Sequence, residues 1–229
     1  MPHREAAIAS AEGTRAYIDE FVPEDESLLA ARSNAYEVGG AIPVDPVTGA
    51  ALRFLAAAIG AKSVVEIGTG CGTSGLWLLR GMRTGSVLTS VDVEPEHQRL
   101  ARAAFVDAGF GSSRYRLISG RALEVLPRLA DGAYDMLFCD ADMQEYPEYL
   151  DAALRLLRPG GIVAFDGALR ADGDGDPAPA GPAHGGPAHG DPETAAISQV
   201  REQVRADERL VPLLLPVGDG LLVAVKRAA

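Results

Sequence analysis

The sequence predicts an α/β protein with a doubly wound sheet of seven strands, helices on both faces and an antiparallel last strand. From Ser63 onward, short apolar runs alternate with helical segments, which is typical of parallel strands that are buried on both faces. Near the carboxyl end, two apolar runs are joined across Gly218-Asp219-Gly220. So short a link allows only an antiparallel hairpin, which closes an otherwise parallel, Rossmann-like sheet.

The predicted strands and helices follow one another in a regular order. Strands are expected at Ser63–Ile67, Val87–Val91, Tyr115–Ser119, Tyr134–Cys139, Ile162–Phe165, Val211–Pro216 and Leu221–Lys226. Helices are expected between them at Ser74–Met82, Pro95–Ala108, Ala122–Leu129 and Tyr146–Leu157. Proline is favoured in the first turn of a helix, as at Pro95.

The first 60 residues lack this alternation and predict a helical cap. We therefore divide one compact molecule into a cap, residues 1–60, and a cofactor-binding domain, residues 61–229. Helix is expected from Arg4 to about Val38 with a break at Pro23, after which Asp25 or Ser27 can cap a second helix. A further apolar helix is expected over Val47–Ile59, and a glycine follows it at the usual stop position.

Composition and charge exclude several partners. The 229 residues are 47% hydrophobic, which is typical of a globular protein. The formal net charge of -11 disfavours nucleic acid and anionic membranes, because both require a basic face. There is no apolar run long enough to span a membrane and no secretory signal in Met1–Ser10. Two cysteines are too few for a disulfide framework, so we expect a cytoplasmic protein.

One segment, Asp172–Pro192, is low in complexity. It is built from Gly, Pro, Ala, Asp and His, and it contains the pentapeptide GPAHG twice in tandem. Such a composition cannot bury enough apolar surface to order itself, so a flexible loop is expected. Because it follows the fifth strand on the ligand-binding side of the sheet, it can serve as a lid.

A glycine-rich turn after the first strand is the sharpest chemical feature. Glycines let the main chain turn sharply and let a ligand lie close against it. Gly70, Gly72 and Gly75 also fit the G-x-G-x-x-G dinucleotide fingerprint, so a nicotinamide-dependent oxidoreductase is an alternative. Glu66 argues against it, because a carboxylate before the turn suits an ammonium group and repels a pyrophosphate.

Further acids stand at the ends of later strands. Asp92, Asp140 and Asp166 each follow a predicted strand, so an acidic crevice is expected. S-adenosylmethionine is a sulfonium cation with an ammonium group and a ribose diol, and such a crevice suits it. An acid in the position of Asp92 can accept both ribose hydroxyls, although it would do the same for NAD.

The region from about Val44 to Lys226 resembles the bacterial O-methyltransferases related to caffeoyl-CoA and catechol O-methyltransferases. The matching pieces, in order, are VVEIGTGCGTSGLWL, SVDVEPEHQRLARAAF, LISGRALEVLPRL, YDMLFCDADMQEYPEYL, LLRPGGIVAFDGAL and LLLPVGDGLLVAVKR. The resemblance implies a homodimer that uses S-adenosylmethionine. It implies that the cofactor is bound by Val44, Glu66, Gly68, Thr69, Ser74, Asp92, Ala122, Asp140 and Asp142.

The chain departs from this family at the metal and base positions. Many relatives bind a divalent ion through an Asp-Ala-Asp-Lys motif and a later Asp-Asn pair. Here Met143 replaces the lysine, which is often assigned as the base, and Gly167 replaces the asparagine. Asp140 and Asp166 are left as the candidate ligands of Mg²⁺, an ion that keeps several waters. The same two residues are the candidate catalytic carboxylates.

Several other residues allow both a functional and a structural interpretation. His184 and His189 can supply a base from the lid or can simply be solvated, and His97 is expected to be an exposed helix residue. Tyr146 and Tyr149 share a helix face and either contact substrate or pack on the sheet.

Two smaller expectations concern the remaining marked side chains. Trp77 is expected in the core or at a dimer contact. Cys71 and Cys139 follow strand ends that can be adjacent, which permits a redox switch.

These observations favour methyl transfer to a hydroxyl of a small, phenolic molecule, with or without a metal. The alternatives are a protein that binds S-adenosylmethionine without catalysis, an N- or S-methyltransferase, and the nicotinamide-dependent oxidoreductase. Nucleic acid and membranes are not expected as partners.

Overall fold

The computed structural model describes residues 17, 18, 20–170 and 192–228. The predicted lid, apart from Pro192 at its end, lies outside the described residues, and so do His184, His189 and the predicted start of the first helix. None of the helices in the described ranges is long and apolar enough to cross a membrane.

Seven strands form one sheet, as the sequence predicted. In chain order they are β1 Ser63–Ile67, β2 Val87–Asp92, β3 Tyr115–Ser119, β4 Tyr134–Cys139, β5 Leu157–Phe165, β6 Leu210–Leu215 and β7 Leu221–Lys226. Their spatial order is β3-β2-β1-β4-β5-β7-β6. The first five strands are parallel to one another, whereas β7 lies between β5 and β6 and is antiparallel to both. The doubly wound sheet with an antiparallel last strand is therefore confirmed.

The helices cover both faces of the sheet. They are α1 Glu26–Val38, α2 Pro46–Ala58, α3 Thr73–Gly81, α4 Pro95–Asp107, α5 Ala122–Val125, α6 Tyr146–Leu156 and α7 Pro192–Ala206. Three short 3₁₀ turns occur at Ser112–Arg114, Leu126–Arg128 and Met143–Glu145. One core cluster lies under α5, α6 and α7, and a second lies under α1 to α4.

Three elements differ from the sequence prediction. The α-helix predicted over Ala122–Leu129 stops at Val125 and continues as a 3₁₀ turn, because Pro127 has no N–H to continue the α-helical ladder. Strand β5 begins at Leu157 rather than Ile162, and a register shift against β4 accommodates the extra residues. The helix over Pro192–Ala206 was not predicted.

The cap helices share the core of the sheet domain. Asp25, one of the two predicted caps, accepts a hydrogen bond from the Leu28 backbone N–H at 3.1 Å and begins α1. Helix α1 packs on α4, and α2 packs on α3, where Gly49 leaves room for the ring of Trp77. Trp77 is buried in this core, which was one of the two places predicted for it. The boundary at residue 60 stays a prediction.

Candidate functional site

A cleft of about 730 Å³ lies at the carboxyl ends of the central strands. It opens where the strand order reverses, between β1 and β4, which is where ligands bind in open α/β sheets. All but one of the residues predicted from the sequence to form the site line this cleft. They are Val44, Gly68, Thr69, Ser74, Asp92, Ala122, Asp140, Asp142 and Asp166.

The glycine turn after β1 is a backbone cradle. Gly68 has φ +93°, and a Cβ atom on it would lie 1.9 Å from the carbonyl oxygen of Asp140. Only glycine fits this close approach of two strand ends. The turn then leads into α3, and Gly68, Thr69, Gly70 and Cys71 of the turn line the cleft. A ligand can therefore lie against the backbone here, as the sequence predicted.

Glu66 is the predicted site residue that does not line the cleft. Its carboxylate is fully buried beneath the turn. Ser74 donates a hydrogen bond to one carboxylate oxygen at 2.7 Å, and Ser90 donates one to the other at 2.5 Å. Ser90 is the register partner of Glu66 on β2, which explains the contact. The expected open carboxylate is thus a buried support of the glycine turn, and its direct contact with a cofactor stays a prediction.

Burial controls the protonation of Glu66. Removal from water disfavours its charged form and raises its pKa to about 7, and the carboxylate of Asp92 contributes in the same direction. The hydroxyls of Ser90 and Ser74 oppose the rise by donating to the carboxylate. Near neutral pH, the site therefore holds a carboxyl group that can gain or lose charge.

Asp92 is held in a fixed orientation at the end of β2. One of its carboxylate oxygens accepts hydrogen bonds from the backbone N–H groups of Thr69 at 2.8 Å and Gly70 at 2.9 Å. The other accepts one from the N–H of Glu94 at 2.9 Å. Because an acid fixed at this strand end can accept hydrogen bonds from a ribose diol, Asp92 and the bare glycine turn together fit S-adenosylmethionine.

His97 corrects a sequence expectation. It was expected to be an exposed helix residue, but it is only 8% exposed and lines the cleft. Its Nδ1 lies 3.9 Å from a carboxylate oxygen of Asp92, and its Nε2 lies 3.3 Å from the carbonyl oxygen of Gly39. The prediction was wrong because the cap covers this end of α4. His97 therefore lies between the end of the first cap helix and the carboxylate of Asp92.

Asp140 and Asp166 stand side by side at the other end of the cleft. No described residue donates a hydrogen bond to the carboxylate of Asp140, and one carboxylate oxygen of Asp166 is buried without a partner among the described residues. Burial and the charge of Asp166 hold the pKa of Asp140 well above its usual range. Burial, with Asp219 and Asp45, raises the pKa of Asp166 to about 6. The pair can therefore accept and hold a proton.

The residues present do not fit a family-type metal site. Gly167 offers no side-chain ligand, and a Cβ on it would lie 2.5 Å from Cε of Met143 and 3.2 Å from Cδ of Arg170. Two side chains thus occupy the space of the missing asparagine. Within the described ranges, no cluster of three or more His, Cys, Asp or Glu residues could hold a metal ion. Mg²⁺ binding by Asp140 and Asp166 stays a prediction that this geometry disfavours.

The two tyrosines pack on the sheet, with their rings buried. The Tyr146 hydroxyl donates to the backbone carbonyl of Asp166 at 3.0 Å, so it positions the end of β5. Tyr149 donates to Glu145 at 2.6 Å and also lines the cleft. Tyr149 can therefore still contact a substrate, whereas Tyr146 has a structural role.

The two cysteines are free and buried. Burial raises the pKa of both thiols, and for Cys139 the charge of Asp140 contributes as well. A thiol with a raised pKa forms the reactive thiolate less readily. The redox switch over Cys71 and Cys139 stays a prediction, and their surroundings disfavour it.

Four functional candidates were missed by the sequence analysis. Each lies on a segment that is distant in sequence from the glycine turn and that the fold brings to the cleft. The four residues are Arg32, Asp45, Arg170 and Asp219. Asp219 arrives with the turn between β6 and β7, whose carbonyl oxygens accept hydrogen bonds from the N–H groups of Ala168 and Leu169. The GDG link was used only to predict a hairpin, and no local pattern marked the other three.

Comparison with known proteins agrees with this fold and cleft. A family model described as O-methyltransferase matches residues 26–227. A protein of Mycobacterium sp. (strain JLS) that carries an O-methyltransferase name is 47% identical over 216 residues, which are 94% of this chain and 93% of the relative.

Two solved structures are similar over almost the whole chain. A protein from Corynebacterium glutamicum has a TM-score of 0.82 and 33% identity, covering 95% of this chain and 97% of its own. The second is the O-methyltransferase TomG from Streptomyces achromogenes, which is involved in tomaymycin synthesis and was solved in complex with SAM. Its TM-score is 0.77 and its identity is 27%, and the match covers 93% of this chain and 95% of TomG.

The fold, the glycine cradle and the acid at the end of β2 define the class as an S-adenosylmethionine-dependent methyltransferase. The chain belongs to the O-methyltransferase family. The resemblance inferred from the sequence motifs is thereby confirmed.

Proposed function

We propose that this enzyme methylates a hydroxyl of a small phenolic molecule and that it does so without a divalent metal ion. One observation carries the proposal. The carboxylates of Asp140 and Asp166 face the cleft with free acceptor capacity, opposite the end of the cleft where Asp92 fits a ribose. A proton acceptor and a cofactor site are thus joined by one cavity, which is what O-methyl transfer requires.

The cofactor supplies an electrophilic methyl group on a positively charged sulfur. The chain would position it. Asp92 would accept hydrogen bonds from the ribose hydroxyls, and the turn at Gly68 would let the amino-acid end lie against the backbone. Val44 would cover the cofactor from the cap, and Ala122 would lie near the adenine. These residues align the methyl carbon with the acceptor oxygen and exclude water, which is most of the work in an in-line displacement.

The acceptor oxygen must lose a proton as it attacks. We assign that proton to the Asp140 and Asp166 pair, because neither carboxylate is engaged by a described cation at ion-pair distance. With the cofactor bound, the acceptor oxygen would bond to the methyl carbon as the carbon–sulfur bond breaks. The electron pair of the broken bond would stay on sulfur and neutralise its charge. A phenol requires only such modest help from a positioned base.

A second candidate is a protein that binds S-adenosylmethionine without catalysis. The replacement of the family's lysine and asparagine by Met143 and Gly167 favours it. Turnover with any acceptor would exclude it, and analysis of the product by mass spectrometry and NMR would separate O-methylation from N- or S-methylation.

Assembly and location follow from weaker observations. We propose a homodimer, because the cap and the outer strand expose large apolar side chains: Phe21, Ile42, Phe54 and Leu213. We propose a cytoplasmic location, since both cysteines are free and the charge is acidic. The acidic charge also argues against nucleic acid as a substrate.

The proposal is tested by turnover of catechols with S-adenosylmethionine in the presence and absence of EDTA. We expect kcat to be unchanged by EDTA, and we expect D140N and D166N each to lower it about 10²- to 10⁴-fold, the usual contribution of a positioned base. D107N, a change at the surface end of α4, is the matched control.

Three results would contradict the proposal. Loss of activity in EDTA with recovery in Mg²⁺ would show that the metal is required. Full activity of both D140N and D166N would remove the assigned base. Absence of turnover with intact cofactor binding would favour the second candidate.

A further inference from the structure

Three arginines line the cleft, and they differ in what they contact. Arg32 forms an ion pair with Glu24, and Arg121 forms one with Glu145. Arg170 has no carboxylate oxygen of a described residue within ion-pair distance. Its only side-chain hydrogen-bond contact among the described residues is the sulfur of Met143, 3.7 Å from Nη1. Among the described residues, no oxygen acceptor therefore engages this guanidinium, which has five N–H donors and lies at the cleft. Its positive charge opposes the burial that raises the pKa of both Asp140 and Asp166, and it does so without a direct ion pair.

The fold holds Arg170 at this place. The residue sits in the turn after β5, where its backbone N–H donates to the carbonyl oxygen of Gly167 at 3.1 Å. The stem of the side chain crosses Gly167, since Cδ would lie 3.2 Å from a Cβ there. Met143, which is buried, packs against the same glycine. The absence of a side chain at residue 167 therefore makes room for both residues.

Arg170 carries a positive charge among acidic residues. The same end of the cleft carries the carboxylates of Asp140, Asp142, Asp166 and Asp219. An acceptor with a negative charge would be repelled by these acids unless a cation received it. Guanidinium and carboxylate groups pair through two parallel hydrogen bonds, which fix orientation as well as charge.

We propose that Arg170 is a specificity-determining residue that binds a carboxylate on the acceptor, so that the substrate class is a hydroxylated aromatic acid. This inference rests on the proposed function. The side chain of Met143 contacts Arg170, and both Met143 and Tyr149 line the cleft, so they can pack against the ring of such an acceptor. With the acid held by Arg170, the acceptor hydroxyl is directed toward Asp140 and Asp166.

The test measures binding, so that it does not depend on turnover. 3,4-Dihydroxybenzoate and catechol differ only by the carboxylate, and each is titrated by calorimetry into the protein saturated with S-adenosylhomocysteine. We expect the acid to bind at least about tenfold more tightly to the wild type. We expect R170Q to reduce this ratio to about one and R170K to keep part of it, since lysine retains the charge but loses the fork.

Two controls separate this role from others. R205Q removes an exposed arginine on α7 that lies outside the cleft, and it should leave the ratio unchanged. The affinity of R170Q for S-adenosylhomocysteine should equal that of the wild type. A weaker affinity would mean that Arg170 binds the cofactor, which would overturn the inference.

The remaining outcomes of the titration also test the role of Arg170. Equal affinities of the two phenols for the wild type, or a preserved ratio in R170Q, would overturn the role of Arg170. No binding of either phenol would overturn the acceptor class and this inference together. Binding of the acid with no methylation by S-adenosylmethionine would support Arg170 and contradict only the proposed function.

Discussion

At the scale of single residues, strand geometry decides what Glu66 can do. Side chains alternate across a strand, so Val65 and Ile67 enter one core while Val64 and Glu66 point into the other. Glu66 is therefore buried under α3, although it stands beside residues that line the cleft. The sequence located the acid at the end of the strand, but the face to which it points depends on which layer each face meets.

The raised pKa of Glu66 gives a prediction about stability. Its pKa rises from an ordinary 4.5 to about 7 in the folded protein, so the folded state binds more protons than the unfolded state between these values. The stabilisation is complete below pH 4.5 and is lost as the pH rises through 7. A shift of this size corresponds to about 3 kcal/mol, and E66Q, which does not titrate, should lose this part of the pH dependence.

Urea denaturation of the cofactor-free protein between pH 5 and 8 measures this effect. The unfolding free energy of E66Q relative to the wild type should increase with pH across this range. Asp140 and Asp166 have raised pKa values as well, so a residual slope of the same sign is expected. E148Q changes an exposed glutamate on α6 and serves as the control. Parallel profiles of E66Q and wild type would refute the assignment.

At the scale of elements, the loop between α1 and α2 is held over the cleft by one side chain. Arg32 of α1 pairs with Glu24 at 2.7 Å and donates to the carbonyl oxygen of Val44 at 2.7 Å. A weaker contact reaches the carbonyl oxygen of Pro43 at 3.5 Å. The guanidinium thus fixes the segment that places Val44 against the cleft.

We predict that R32M weakens cofactor binding without abolishing folding. The buried carbonyl of Val44 and the carboxylate of Glu24 would lose their donor, at a cost of roughly 1–3 kcal/mol in stability. The affinity for S-adenosylhomocysteine should fall about tenfold, equivalent to about 1.4 kcal/mol. Calorimetry measures the affinity, and R99M, which removes an exposed pair with Glu96, is the control. Unchanged affinity in R32M would show that the loop holds its position without the clamp.

The terminal hairpin is a second element with a role beyond its own strands. Its turn is bound to the segment after β5 by two backbone hydrogen bonds, Ala168 to Gly220 at 2.9 Å and Leu169 to Asp219 at 2.8 Å. The antiparallel last strand therefore fixes the position of the residues around Arg170. The terminal hairpin, which distinguishes this fold from a plain dinucleotide-binding sheet, therefore also shapes the acceptor end of the cleft.

At the scale of the whole molecule, the cleft is built from both ends of the chain. The cap contributes Val44 and Asp45, the sheet contributes its strand ends, and the hairpin contributes Asp219. Because these parts share continuous core clusters, a ligand in the cleft contacts segments that must fold together. Binding should therefore stabilise the molecule as a whole.

Thermal unfolding tests both this coupling and the choice of cofactor. A ligand present at 100 times its dissociation constant adds about 2.7 kcal/mol to stability, which for a chain of this size is a rise of about 5–10 °C in Tm. We expect such a rise with S-adenosylhomocysteine and none with NAD. A rise with NAD alone would return the glycine turn to the nicotinamide-dependent alternative.

The assembly prediction belongs to the same scale. Sedimentation in solution should give about twice the chain mass of 23.9 kDa if the proposed homodimer forms. Ile42 is 84% exposed and lines the cleft, so a change at this residue would test a partner near the site. A single-chain mass at all concentrations, with full activity, would contradict the homodimer.

Local sequence patterns were enough to predict the sheet, its antiparallel end, the glycine turn and the acids at the strand ends. These features are local, since strand runs, turn glycines and a three-residue link each carry their own pattern. The helix over Pro192–Ala206 was not predicted, because its start adjoins the low-complexity segment and no clear capping signal separates the two.

The surroundings of Glu66, His97 and Arg170 could not be predicted from local sequence patterns. Their surroundings depend on tertiary packing: α3 covers Glu66, the cap covers His97, and the turn after β5 brings Arg170 to the cleft. Gly167 appeared in the sequence only as a lost metal ligand. In the folded protein, the absence of a side chain at Gly167 leaves the space into which Met143 and Arg170 pack. Such contacts between distant segments depend on three-dimensional packing, which no local pattern encodes.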